Sequence, residues 1–74
     1  MKYNKSYAEH FAKNLRGLRE AKGLSIRKLS KEVGVAPQTI DRYEYQGSMP
    51  DMLIALSLAD FFGVTLDELI RPKE

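Results

Sequence analysis

Apolar side chains recur along this chain at the three-and-four spacing of helices, and nowhere do they alternate over four or more residues as a strand would. Tyr7, Phe11, Leu15 and Leu18 mark the first run. The Ser6-x-x-Glu9 pattern ahead of them predicts a capping box, so helix one is expected from about Tyr7 to Lys22, with Gly23 as its end. Ser25 predicts the N-cap of a second helix whose stripe is Ile26, Leu29 and Val33 and whose stop is Gly34. Pro37 predicts the first turn of a third helix, anchored inward by Ile40 and Tyr43 and ending near Tyr45, before a loop from Gln46 to Met49. A fourth helix is expected from Pro50 or Asp51 to Gly63, burying Met52, Ala55, Leu56, Ala59 and Phe62. A fifth follows the Thr65-x-x-Glu68 box with Leu66, Leu69 and Ile70, and Pro72 halts it. The pattern therefore predicts an all-α, compact five-helix bundle over residues 6–71, with residues 1–5 and 72–74 fraying.

Composition narrows the partners. At 74 residues the chain makes one domain, which hides only about 60% of its extended surface, and with no cysteine it relies on packing alone. Absent cysteines fit a reducing compartment. No apolar run approaches the roughly 20 residues that span a bilayer, and the start, MKYNKSYAEH, lacks the apolar stretch of a secretion signal, so the expected location is the cytoplasm with no membrane partner. The net charge is only +2, but residues 13–42 carry eight basic side chains against three acidic ones, and residues 43–74 carry two against six. That polarity points to a polyanion on one side of the molecule; ordinary solvated helix faces account for the same count.

The glycine turn at Gly34 is too short to let helices two and three lie antiparallel, so they should cross at a large angle, which is the helix-turn-helix arrangement. With Ile40 and Tyr43 turned inward, Pro37, Gln38, Asp41 and Arg42 are left to face outward. Gln38 and Arg42, four apart, stack on one side. A glutamine amide can pair with adenine through a donor and an acceptor, and a guanidinium can bond guanine bidentately, so these four residues are candidates for reading base edges. Chemistry of other kinds is missing. His10 has no second imidazole or cysteine to complete a metal site, Asp67 and Glu68 diverge on a helix, and Ser57 has no base at a plausible spacing. Neither a catalytic set, a metal, a cofactor nor a small-molecule ligand is therefore expected.

From Leu15 to Ile70 the sequence resembles the five-helix DNA-binding domain of phage Cro and cI repressors and the related XRE-type regulators. The likeness rests on LRxxREAKGLS, the GV turn, the TIxRYE run, the isolated Pro50 and the closing FGVTLDELI. It implies a lambda-repressor-like fold, a third helix in the major groove of double-stranded DNA, and homodimers on palindromic operators whose half-sites lie about one turn apart. It also implies an ion pair between Arg19 and Glu44 that orients the recognition helix. Phosphates are then met by Ser25, Arg27 and Lys28 at the start of helix two, and by Thr39 at the start of helix three behind Ala36. The expected function is transcriptional regulation, most simply repression, rather than catalysis. The other reading is a protein-interaction module on the same fold: an antitoxin, an anti-repressor or a docking subunit.

Several positions depart from the family pattern. Ile26 stands where relatives carry a glutamine that braces the recognition helix, and Pro37 stands where they often carry a polar residue. Either these two form an apolar brace, or Ile26 packs into the stripe of Leu29 and Val33. The loop of Gln46, Gly47 and Ser48 lacks the usual basic residues, which predicts a shallow salt dependence. Tyr45 beside it either donates to a phosphate or covers the loop as an apolar lid. Gly17, inside helix one, is a candidate for a close helix approach. Leu53, Ile54 and Phe61 fall off the expected buried stripe of helix four, and either they are a dimer surface or Ile54 and Phe61 are partly covered by residues 1–12.

Overall fold

The computed structural model describes residues 5–72, in which five helices follow one another: α1 (Lys5–Ala21), α2 (Ile26–Val33), α3 (Pro37–Tyr45), α4 (Met52–Phe62) and α5 (Leu66–Ile70). Of the stretches expected to fray, residues 1–4 and 73–74 lie outside the described residues. Most boundaries are set by bonds between near neighbours. Ser25 Oγ accepts the Lys28 N–H at 3.0 Å, and Asp51 Oδ1 accepts the Ile54 N–H at 2.9 Å. Thr65 and Glu68 close a reciprocal capping box at 3.0 and 2.8 Å. Each such cap contributes about 1 kcal/mol. α1 is already helical at Lys5, which places Ser6 within its first turn rather than ahead of it.

Gly34 takes φ +79, a left-handed backbone that costs a residue with a Cβ about 1–2 kcal/mol. There its N–H and that of Val35 both return to the Ser30 carbonyl, at 2.9 and 3.0 Å. The chain thus turns from α2 into α3 within three residues.

Packing follows from the apolar stripes. α1 lies against α3 and α5, α2 against α3 and α4, and α4 against α5. Phe11, Leu15, Leu29, Ile40, Leu58 and Leu69 are fully enclosed, and the Phe11 ring meets Tyr43 edge-on with centroids 5.6 Å apart. Burying each of these side chains is worth about 1.5–3 kcal/mol. Asn14 sits among them. Its amide nitrogen donates to the carbonyls of Glu68, Leu69 and Arg71 at 3.2, 2.9 and 2.8 Å, supplying from α1 the partners that the last turn of α5 cannot make for itself.

Helix α4 is rotated about its axis relative to the sequence expectation. Leu58 and Ala59 are buried, and Ile54, Phe61 and Phe62 pack against the core, whereas Met52 and Leu56, expected inside, are exposed. Gly17 is no close-approach site either. It is exposed, and a Cβ built on it would meet nothing within 4 Å. His10 is half-buried and lines a cavity with Asn14 and Pro72.

Candidate nucleic-acid interface

Helix α3 is held by its inner face. Ile40, Tyr43 and Glu44 are buried. At about 100° per residue, the direction opposite these three falls on Gln38, Arg42 and Tyr45, and all three are exposed. Pro37 is exposed at the helix start, while Asp41 and Thr39 are half-buried on the two flanks. The residues chosen from sequence as base readers therefore divide. Gln38 and Arg42 stand on the outward ridge, and Pro37 and Asp41 border it.

The orientation of this ridge is fixed from behind by two charges. Arg19 Nε donates to Glu44 Oε2 at 2.7 Å and Nη2 donates to Oε1 at 3.0 Å, while Nη1 donates to the Leu24 carbonyl at 2.7 Å. The carboxylate is wholly enclosed and the guanidinium nearly so. The hydrogen bond to Glu44 outweighs burial and raises Arg19 above its ordinary value. This is the expected ion pair, and its location in the interior of the α1–α3 contact makes it a strut of the fold.

At the other end of α3, the helix starts from Ala36, which offers no side-chain cap, and Pro37 brings no N–H. Beside this start a cleft of about 400 Å³ is lined by Ser25, Arg27, Lys28, Ser30, Lys31, Val35 and Pro37. Arg27 and Lys28, named from the sequence for phosphate contact, line this cleft, and Ser25 lies there too, its hydroxyl oxygen accepting from the Lys28 N–H. Lys31 was not singled out from the sequence. Its spacing of four from Arg27 on α2 was the available signal.

Position bears on three readings that the sequence left open. Ile26 packs against the core together with Val33, and Pro37 lines the cleft, so Ile26 serves core packing. Tyr45 is 55% exposed, the Arg16 guanidinium sits over its ring at 5.6 Å, and Gly47 of the following loop lines the same cleft. Of the three residues named for a dimer surface, Leu53 is 76% exposed, but Ile54 and Phe61 are drawn onto the core by the rotation of α4, with Lys22 Nζ over the Phe61 ring at 5.4 Å. The large apolar side chains left exposed in α4 and just ahead of it are instead Met49, Met52, Leu53 and Leu56.

A short helix propped outward on an interior ion pair, with a second helix packed on it across a glycine turn and cations beside its start, belongs with the helix-turn-helix class of DNA-binding domains. Residues 15–69 match the family described as helix-turn-helix, and the chain belongs to that family, in its Cro/C1 or XRE type. The family consists of DNA-binding transcriptional regulators rather than enzymes.

Over 54 residues the chain is 39% identical to an HTH-type transcriptional regulatory protein of Methanocaldococcus jannaschii. The match takes in 73% of this chain but only 17% of that relative. In three dimensions the whole chain is similar to the solution structure of the SOS-response transcriptional repressor LexA from Eubacterium rectale, with a TM-score of 0.86, 28% identity and 78% of that structure covered. No described helix is long and apolar enough to cross a membrane.

Proposed function

We propose that the chain is a sequence-specific repressor that lays α3 in the major groove of double-stranded DNA and reads base edges with Gln38 and Arg42. The observation that carries this reading is the exposed Gln38–Arg42 ridge directly opposite the buried Ile40, Tyr43 and Glu44. Pro37 and Asp41 border the reading surface. Ser25, Arg27, Lys28 and Thr39 hold phosphates at the start of the helix, and Tyr45 stands at the far end of the ridge. Repression follows by occupying a promoter, a role exercised where the DNA is, in the cytoplasm.

Site selection from a random duplex pool tests base reading and half-site symmetry together. On the selected site Arg42→Ala should lose about 1–3 kcal/mol and relax preference at one base pair, whereas Arg27→Ala should weaken all sequences alike. Unchanged preference in the Arg42 variant would remove that residue from base reading.

Binding as a homodimer on a palindromic operator belongs to the same proposal, and the surface that supports it is Met49, Met52, Leu53 and Leu56 rather than Ile54 and Phe61. Sedimentation at high micromolar concentration should give twice the chain mass, and Leu53→Glu should return it to one. That same exposed apolar group favours a second reading, in which the domain docks another protein and DNA contact is secondary. Retention on DNA that is weak and indifferent to salt would select that reading, because phosphate neutralisation makes affinity fall steeply with salt.

A further inference from the structure

The C-terminal end of α3 carries a feature that neither the family assignment nor the base-reading residues explain. Tyr45 continues the outward ridge of Gln38 and Arg42 at the i, i+4, i+7 spacing, and the Arg16 guanidinium of α1 sits over its ring. Around this pair Lys13, Glu9, Gly47 and the small faces of Ala8 and Ala12 form a cleft of about 310 Å³ between α1 and the end of the recognition helix. Its edge on the α3 side is closed by backbone hydrogen bonds. Gln46 and Ser48 N–H both return to the Arg42 carbonyl, at 3.0 and 3.2 Å, and Gly47 between them is left-handed at φ +74.

We propose that Arg16 is a second DNA-backbone contact, held ready by Tyr45 acting as a positioning residue, so that α3 is clamped on phosphates at both ends. The proposal rests on the DNA-binding reading above and deepens it. Nine residues of α3 span about 13 Å at a rise of 1.5 Å each. The major groove is roughly 12 Å wide, so a helix lying across it brings each end close to one of the two flanking strands. The starting end has Arg27, Lys28 and Lys31 around its cleft. The finishing end has no cation in its own loop, since Gln46, Gly47 and Ser48 follow. Arg16 supplies one from α1. A guanidinium resting on an aromatic face is attracted to it by the ring quadrupole, which restricts a side chain that would otherwise sample many rotamers, while its N–H donors remain able to take a phosphate oxygen. Glu9 lines the same cleft and opposes the anion, and Glu44, also at its wall, is already neutralised by Arg19.

The test uses the full chain and a short mixed-sequence duplex, with affinity measured by fluorescence anisotropy across a salt series. Arg16→Ala should lower the salt slope by about 0.9 and weaken binding roughly tenfold at ~0.1 M salt, for every sequence alike. Tyr45→Phe keeps the ring and should bind as the parent does. Tyr45→Ala should match Arg16→Ala in both affinity and slope, and the double variant should be no weaker than either single one. Glu9→Gln should tighten binding. Neither Arg16 nor Tyr45 belongs to the buried core, and unchanged melting of the variants confirms that binding alone is being read.

A parent-like salt slope in Arg16→Ala, alongside relaxed base preference in Arg42→Ala, overturns the clamp and leaves the recognition helix standing. Loss in Tyr45→Phe equal to that in Tyr45→Ala overturns the positioning role, because the hydroxyl would then be the contact. A parent chain that binds no duplex even at low salt defeats the DNA reading itself, and the clamp with it.

Discussion

Removing one member of the Arg19–Glu44 pair should nearly unfold this domain, while replacing both with apolar residues should not. The carboxylate has no exposed surface and the guanidinium side chain is 10% exposed, with three charge-assisted hydrogen bonds between 2.7 and 3.0 Å. Breaking such a pair from one side leaves an uncompensated interior charge and costs about 3–5 kcal/mol. A domain of this length has only about 4–11 kcal/mol of stability at 0.05–0.15 kcal/mol per residue. The melting temperature should therefore fall by some tens of degrees, at about 4–8 °C per kcal/mol.

The two single variants should also differ. Glu44→Ala leaves a guanidinium that keeps its bond to the Leu24 carbonyl and can slide its head toward water. Arg19→Ala strands a fully enclosed carboxylate and should be the worse of the two. Arg19→Met with Glu44→Leu should recover most of the loss, because an apolar pair of similar volume pays no desolvation penalty. Urea unfolding followed by circular dichroism measures all three. Single variants each costing under about 1 kcal/mol, or a double variant costing the sum of the two, would refute the assignment of the pair as an interior strut. The recovered double variant should still select the parent's DNA site, since neither charge faces outward.

Three further outcomes are expected. Gly17→Ala should stabilise by about 0.5–1 kcal/mol, because Gly17 is exposed within α1 and the added methyl meets nothing; a lower melting temperature would contradict this. Asn14→Ala should cost about 1–3 kcal/mol by stranding the carbonyls that end α5, and Asn14→Asp should cost more, since a carboxylate would face three carbonyl oxygens; chemical denaturation separates the two. Burial, with Asp51 adding to it, holds the Tyr43 phenol above its ordinary value of 10.0. The folded state then keeps a proton that the unfolded chain releases, so this contribution is complete below pH 10.0 and is lost as pH rises through the folded value. Melting at rising alkaline pH should show that loss, and Tyr43→Phe should flatten it.

Helix boundaries were legible from the amino acids because they are settled by groups a few residues apart. Ser25 with Lys28, Thr65 with Glu68, the left-handed Gly34 and the fixed φ of Pro37 act whatever the rest of the chain does, and they placed α2, α3 and α5 where they lie. The outward ridge of Gln38 and Arg42 was readable for the same reason, since Ile40 and Tyr43 left it no other side. Asn14 lay unread among Phe11, Leu15 and Leu18, although a polar residue inside an apolar stripe signals a partner elsewhere.

Long-range packing settled the rest. Nine of the eleven residues of α4 are apolar, which leaves little contrast to orient it, and the only polar hints, Ser57 and Asp60, share a face with Leu53 and Leu56. The docking of α4 on α2 and α5 chose Leu58 and Ala59 for the interior and left Met52 and Leu53 in water. The meeting of Arg16 with Tyr45 likewise joins residues 29 positions apart, and it exists because α1 packs along α3. Local hydrogen bonding and backbone sterics are written in neighbouring residues. The rotation of an almost wholly apolar helix, and the company kept by an exposed cation, depend on which surfaces the folded chain brings together.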